Sequence, residues 1–267
     1  DRFWVVSGAA VTGRDLDWLA RQIPGDAHCM VADITSSWSV FGIMGPNSRA
    51  FLEPLMRRDL SATAFPFGTS IEAEIGCAPV RATRVSYVGE LGWEVYVSVD
   101  MARHVFDVLL ELGRDHGLAM AGMHALDSCR IEKKFVHFGH DVADEDTPLE
   151  AGMGFVCALD KPGGFIGRDA IARQRDSGAH LRKRLVQFVL QDPEAMLYHH
   201  EPIMCDGAIK GFLTSGSYGH TLGGSVGLGY VRHDEPITAQ FLESNTWTID
   251  VGGTPIAATA SLRAQYD

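Results

Sequence analysis

The sequence predicts an α+β protein in which a mixed helical and stranded part precedes a smaller antiparallel β part. A single apolar stripe at helical spacing runs from Met101 to Leu112, which is the pattern of an amphipathic helix. From Leu185 onward the chain consists instead of short apolar runs separated by glycine turns, which is typical of consecutive antiparallel strands. We therefore expect two domains, 1–180 and 181–267.

Local signals predict the elements of the first part. In chain order they predict a helix over 14–23, a strand over 39–44, a helix capped by Asn47, strands within 71–99 that reverse tightly at 88–92, the striped helix closed by Gly117, and a helix over 123–133.

The chain opens on an uninterrupted apolar run, Phe3–Val6, with no initiator methionine before it. Such a run predicts a strand buried between neighbours on both faces. We therefore expect the sequence to be a fragment whose N-terminal partner strands are missing.

Composition excludes several classes of protein. The 267 residues carry 23 basic and 34 acidic side chains, a formal charge of −11, which disfavours neutralisation of nucleic-acid phosphates. No stretch reaches the roughly 20 apolar residues of a membrane span. The five cysteines are scattered, which favours a cytoplasmic protein without a disulfide framework. The basic run 182–184 is interpreted as a solvated linker or as a contact for an anion.

One acid lies between two glycines and two aromatic residues. Glu90 follows Gly89 at a predicted hairpin tip, with Tyr87 before it and Trp93 after it. A carboxylate held on such a turn can accept two parallel hydrogen bonds from adjacent N–H donors, as on the edge of a pterin or a guanine. Tyr87 or Trp93 would then cover the ring. The alternative is an ordinary exposed turn acid.

The other polar clusters carry weaker signals. Asp127, Arg130 and Glu132 fit charges on a helix surface, and the acidic loop that follows lacks the glycine spacing of a calcium site. Adjacent histidines on a strand face opposite sides, and neither an HExxH motif nor a nearby cysteine accompanies them. We therefore expect no metal site.

Taken together, four ordered motifs resemble the aminomethyltransferase family, to which the glycine cleavage T-protein belongs. They are Val85–Glu94, Ala125–Lys133, Asp146–Gly152 and Thr214–His220. The resemblance covers essentially the whole chain and is strongest to the folate-binding C-terminal half of FAD-dependent dimethylglycine and sarcosine dehydrogenases. It implies a T-protein-like cloverleaf of an incomplete folate-binding α+β domain, a second α+β domain and a C-terminal antiparallel β-barrel or jelly-roll-like domain.

The resemblance also implies which residues bind tetrahydrofolate. The family's pterin-binding glutamate falls on Glu90. Of two arginines in the family's helix motif, Arg130 matches the second, whereas Leu126 replaces the first. Tyr266 lies where T-proteins have a C-terminal tyrosine near the ligand. The family's catalytic aspartate would precede Asp1, so that no catalytic residue is assigned and the fragment is expected to lack it.

The implied activity is one-carbon transfer from an aminomethyl or iminium donor to tetrahydrofolate, which gives 5,10-methylenetetrahydrofolate and releases a small amine. FAD would take part only if a flavin oxidoreductase domain or subunit accompanies the chain. Two alternatives share the fold: a tetrahydrofolate-dependent demethylase, and a nonenzymatic folate-binding factor of iron–sulfur maturation. The latter carries a cysteine motif, and the corresponding stretch 132–140 has no cysteine.

Overall fold

The computed structural model describes residues 1–177 and 181–266. Contacts between Cα atoms divide the chain into two compact units, Asp1–Gly122 and Met123–Asp267. The domain boundary expected near residue 180 stays a prediction, and the division by contacts falls before it because the helix that starts at Met123 packs with the C-terminal strands.

The first unit combines helices with one sheet. Its helices are α1 (Thr12–Arg21), α2 (Ser48–Met56) and α3 (Val99–Gly113), and its strands are β1 (Trp38–Met44), β2 (Ser70–Ile75), β3 (Ala78–Thr83) and β4 (Gly92–Ser98).

The sheet has the strand order β1-β4-β3-β2, and every pairing is antiparallel. Along β4, Trp93, Val95 and Val97 face the core and are fully buried, because alternate residues of a strand point to opposite faces. The apolar sides of α2 and α3 cover that face of the sheet. The helix predicted from the stripe between Met101 and Leu112 is confirmed as α3.

The predicted opening strand is wrong. Residues 1–8 form no regular structure, and Phe3 is 83% exposed. A strand requires a neighbour for its backbone hydrogen bonds, and no pairing to this segment exists within the described residues. Trp4 instead packs its ring against Trp38 and Tyr96, with centroid distances of 4.6 and 6.1 Å.

The second unit combines a barrel with helices. Its helices are α4 (Met123–Glu132), α5 (Arg168–Asp176) and α6 (Ala239–Ser244), and its strands are β5 (Lys183–Leu190), β6 (Pro202–Cys205), β7 (Ala208–Gly219), β8 (Gly224–Arg232), β9 (Trp247–Val251) and β10 (Thr254–Ser261).

The six strands close in the order β10-β5-β8-β7-β6-β9, with antiparallel pairing throughout. The mixed α+β fold with a C-terminal antiparallel barrel is therefore confirmed. The expectation that everything after Leu185 is β is wrong at one point, where Thr238 accepts a hydrogen bond from the backbone of Phe241 and begins α6. Side-chain oxygens of this kind satisfy the free N–H groups of a first helical turn.

Within residues 1–177 and 181–266, no helix combines the length and the apolar character needed to cross a bilayer.

Candidate functional site

Glu90 lies in a loop, residues 84–91, that joins β3 to β4. The loop is longer than the tight reversal predicted from the sequence. Arg84 anchors its start, since Nη1 donates to the carbonyl of Phe65 at 2.8 Å. The carbonyl of Leu91 anchors its end by accepting from the Gly45 N–H at 2.8 Å. Both ends of the loop are therefore hydrogen-bonded to other segments of the first unit.

Glu90 lies exposed on this fixed loop, after Gly89 with φ of 77°. The left-handed conformation at Gly89 favours glycine because a Cβ atom would clash with the backbone. Among the described residues, the Glu90 carboxylate makes no hydrogen bond or ion pair, so its acceptor oxygens are available. Its role as a pterin ligand stays a prediction.

The two aromatic residues beside Glu90 lie in different environments. Tyr87 is half-buried, whereas Trp93 has no exposed surface and packs against Phe65 at a centroid distance of 6.2 Å. The Trp93 ring is thus part of the core of the first unit. Its indole N–H has no hydrogen-bond partner in the described part of the chain.

Arg130 lies on α4 in the second unit and is 2% exposed. Its guanidinium donates to Asp127 at 3.0 Å, to Asp141 at 2.6 Å and to the Ser215 hydroxyl at 2.8 Å. It also donates to the carbonyl of Phe135 at 3.3 Å. These bonds lie within the chain, and a contact of Arg130 with folate stays a prediction.

Asp141 is the centre of this buried network. It is 1% exposed and accepts hydrogen bonds from Arg130, from the His137 backbone N–H at 2.9 Å, and from the hydroxyls of Thr214 and Ser215 at 2.6 Å each. The network joins two of the motifs recognised in the sequence, because Thr214 and Ser215 belong to β7.

Glu132 connects the helix motif Ala125–Lys133 to the two residues that directly follow the Thr214–His220 motif. Its side chain is buried, and Oε1 accepts from the backbone N–H groups of Thr221 and Leu222 at 2.8 Å each. The interpretation of Arg130 and Glu132 as helix-surface charges is therefore wrong, since both side chains are buried and hydrogen-bonded. Only Asp127, at 38% exposure, fits that interpretation.

Tyr266 and Lys134 lie near the end of the same helix. The Lys133 ammonium lies 4.9 Å from the centroid of the half-buried Tyr266 ring, a cation–π distance. Burial, together with the charge of Arg184, lowers the pKa of Lys134 to about 8. Lys134 also has φ of 55°, an uncommon conformation for a residue with a Cβ atom.

Four exposed histidines form a row in the second unit. The centroid distances are 6.0 Å from His137 to His140, 6.0 Å from His140 to His199 and 4.6 Å from His199 to His200. Burial lowers the pKa of His140, against the opposing charge of Asp141. Within the described ranges, no three His, Cys, Asp or Glu side chains are arranged to hold a metal ion.

Sequence reasoning missed Asp141 and Ser215. In the sequence, Asp141 is recognisable only as a short polar residue shortly after a helix that carries an arginine. Many surface loops have such a residue. The contacts of Asp141 and Ser215 with Arg130 depend on the fold, which brings β7 next to α4. No spacing rule along the chain predicts these contacts.

Two family models match the chain. The GCVT N-terminal domain matches residues 1–161, and the glycine cleavage T-protein C-terminal barrel domain matches residues 183–267. A solved structure, the glycine cleavage system aminomethyltransferase T from Bartonella henselae, superposes with a TM-score of 0.77 at 21% identity, over 94% of this chain and 65% of that chain. This likeness supports the fold.

Curated relatives extend well beyond this chain. The chain is 39% identical over its whole length to the 4-methylaminobutanoate oxidase (formaldehyde-forming) of Paenarthrobacter nicotinovorans and spans 31% of that protein. It is 33% identical over its whole length to the mitochondrial sarcosine dehydrogenase of Homo sapiens and spans 29% of it. The aminomethyltransferase of Halothermothrix orenii is 34% identical over 88% of this chain and 64% of its own length.

The resemblance deduced from the four motifs is thus confirmed across both halves of the sequence. With family models matching residues 1–161 and 183–267, the chain belongs to the glycine cleavage T-protein family.

Proposed function

We propose that this chain is the tetrahydrofolate-binding part of a one-carbon transferase that forms 5,10-methylenetetrahydrofolate from an aminomethyl or iminium donor. Membership of the T-protein family supports the reaction class, and the similarity to an aminomethyltransferase supports it further. The observation that most directly supports this proposal is the exposed Glu90 carboxylate. It lies on an anchored loop and has no hydrogen-bond or ion-pair partner among the described residues.

The chemistry of Glu90 fits a pterin. The pterin edge presents adjacent N–H donors, and an ionised carboxylate can accept both in parallel. Such charge-assisted bonds contribute roughly 1.5–3 kcal/mol each when they are well formed. Because both ends of the loop are fixed by Arg84 and Leu91, little conformational entropy is lost when the ligand binds.

The proposed reaction depends on orientation. Tetrahydrofolate supplies the two nitrogen nucleophiles that capture the carbon. Holding them beside the electrophile converts a bimolecular capture into an effectively unimolecular one and excludes water, which would release formaldehyde.

The donor is proposed to come from oxidation of an N-methyl amine. Two relatives that align with the whole length of this chain are named as an oxidase of 4-methylaminobutanoate and as a sarcosine dehydrogenase. Both named substrates are N-methyl amines. A flavin domain or subunit would perform that oxidation. FAD is not assigned to residues of this chain, since its sequence contains no GxGxxG fingerprint.

Calorimetric titration with tetrahydrofolate under anaerobic conditions tests the role of Glu90. In the Glu90→Gln variant an amide N–H replaces one acceptor oxygen and opposes the donors of the pterin. We expect this variant to weaken binding at least about tenfold, which corresponds to about 1.4 kcal/mol. Glu111→Gln, which changes an exposed acid on α3, is the matched control and should bind like the wild type. Equal affinity of wild type and Glu90→Gln would reject the assignment.

Identification of the folate product separates the proposed reaction from demethylation. The protein is incubated with tetrahydrofolate and an aminomethyl or iminium donor, and the folate product is identified by mass spectrometry. We expect 5,10-methylenetetrahydrofolate. A methylated folate would instead indicate the demethylase alternative.

A further inference from the structure

A cysteine and a histidine form a close pair in the first unit, where the turn between β2 and β3 meets α3. Cys77 lies exposed in the turn between β2 and β3, and His104 lies on α3. The thiol Sγ is 3.5 Å from His104 Nε2, and the backbone N–H of Cys77 donates to the same nitrogen at 3.3 Å. A nucleophile and a base are therefore within hydrogen-bond reach of each other.

The backbone contact determines the tautomer of the imidazole. A peptide N–H can only donate, so Nε2 must accept and the proton of the neutral ring lies on Nδ1. The nitrogen that faces Sγ is thus the basic one. It is placed to take up the thiol proton.

The turn that presents Cys77 is adapted to His104. Gly76 has φ of 61°, and a Cβ atom at this position would lie 2.4 Å from His104 Nε2. Positive φ at the first of two turn residues is characteristic of a type II′ hairpin, in which glycine is favoured. Glycine is therefore favoured by the backbone conformation, and the absence of a Cβ atom lets the imidazole lie close to the turn.

An open groove of about 780 Å³ adjoins this turn at Gly76. Four charged residues contribute to its lining: Arg57, Arg58, Glu72 and Glu74. Glu72 forms an ion pair with Arg81 at 2.5 Å. Arg57 and Arg58 can therefore bind carboxylates of a ligand, and Glu74 can bind an ammonium group of the ligand. The groove therefore suits a small zwitterionic ligand that carries more carboxylates than ammonium groups.

We propose that Cys77 is a reactive thiol that undergoes exchange with low-molecular-weight, carboxylate-bearing peptide disulfides, with His104 as the proton acceptor. The thiol proton passes to Nε2, and Sγ attacks one sulfur of the disulfide. The bond between the two ligand sulfurs breaks as the bond to Sγ forms. The leaving thiolate takes the proton back from His104, so the products are a mixed disulfide on Cys77 and one free thiol.

Oxidised glutathione and the 267-residue chain provide the test, with peptide mass spectrometry to measure the mixed disulfide on each cysteine. Cys29 is the internal control because it is also exposed, and no bond between its thiol and a histidine exists among the described residues. At about pH 7.5 we expect Cys77 to react at least about fivefold faster than Cys29. His104→Gln should remove most of this advantage, while His124→Gln, an exposed histidine on α4, should preserve it.

Three results would overturn the proposal. The first is an equal rate at Cys77 and Cys29 in the wild type. The second is an unchanged Cys77 rate in a His104→Gln protein whose circular dichroism shows it to be folded. The third is an unchanged ratio of the two rates when cystamine, which carries ammonium groups only, replaces oxidised glutathione. Folate binding is measured separately, so failure here leaves the proposed function untouched.

Discussion

Arg130 Nη1 lies 2.6 Å from a carboxylate oxygen of Asp141, and the two side chains are 2% and 0% exposed. Both charges are satisfied by further hydrogen bonds, those of Asp141 coming from Thr214, Ser215 and the backbone of His137. A buried pair of this kind contributes little net stability when intact, but loss of one partner leaves an uncompensated buried charge. The helix motif and the β7 motif are therefore linked through this pair.

Asp141→Asn should destabilise the protein by about 3–5 kcal/mol, because it leaves the Arg130 charge without its buried partner. Asp127→Asn removes a partner of the same arginine, but Asp127 is 38% exposed. It should therefore cost about 1 kcal/mol or less. Urea unfolding of both variants measures the difference. Similar losses of unfolding free energy would contradict the central position given to Asp141.

Gly216→Ala tests why β7 contains a glycine at this point. A Cβ atom there would lie 2.8 Å from the backbone carbonyl carbon of Leu197 and from the backbone nitrogen of Tyr198. Backbone atoms cannot move aside as a flexible side chain does. We therefore expect Gly216→Ala to lower the free energy of unfolding by about 1–3 kcal/mol. Gly13→Ala lies in α1, where an added Cβ atom meets no described atom within 4 Å apart from its chain neighbours and the helix's own backbone. It should instead stabilise by roughly 0.5–1 kcal/mol. Thermal unfolding of the two variants should move in opposite directions; a shift in the same direction would refute the packing argument.

Lys134→Gly should stabilise the protein in a pH-dependent way. The pKa of Lys134 is lowered to about 8 from its ordinary 10.5, so between these values the unfolded chain binds more protons and stability rises with pH. The cost of the buried ammonium is thus complete below about pH 8 and is lost towards pH 10.5. The advantage of Lys134→Gly should accordingly be larger at pH 7 than at pH 10.

Arg57→Gly is the control for backbone conformation. Arg57 is exposed and has φ of 51°, so glycine relieves a similar strain of about 1 kcal/mol there. Denaturant titrations at pH 7 and pH 10 should show the same gain at both values for Arg57→Gly. A pH-independent gain for Lys134→Gly would argue against a buried ammonium.

Two buried tryptophans test the role of the indole N–H. Trp247 Nε1 donates to the carbonyl of Leu242 at 2.9 Å, whereas Trp93 Nε1 has no partner in the described part of the chain. Substitution by phenylalanine removes similar volume at both sites but leaves an unsatisfied acceptor only at Leu242. We expect Trp247→Phe to be more destabilising than Trp93→Phe by about 1–2 kcal/mol. Chemical denaturation of the two variants would refute this if the order were reversed.

The elements that the sequence predicted well have strong local signals. The apolar stripe defines α3, and alternation defines β4, because in both cases the periodicity of the side chains is sufficient. The apolar run Phe3–Val6 led to a wrong prediction of a strand, because an apolar segment forms a strand only where a neighbour accepts its hydrogen bonds. Helix α6 was missed because six residues give too short a pattern.

The candidate site divides in the same way. The turn that carries Glu90 follows from the glycine beside it, a purely local feature. The burial of Arg130 and Glu132 cannot be deduced locally, because Arg130 also donates to Ser215 on β7, and Glu132 accepts from Thr221 and Leu222 after β7. These partners lie roughly 85 to 90 positions along the chain. Hydrophobic periodicity carries no information about such polar pairings, and α4 has charges on the side that packs against the barrel.

The first strand of the barrel in chain order pairs with the last, since residues 187–190 of β5 bond to residues 258–261 of β10. During synthesis on the ribosome, β5 therefore cannot pair with its neighbour β10 until about seventy further residues have left the exit tunnel. Nascent chains halted before residue 258 should remain sensitive to protease and be available to chaperones, and resistance should arise in one step once β10 emerges.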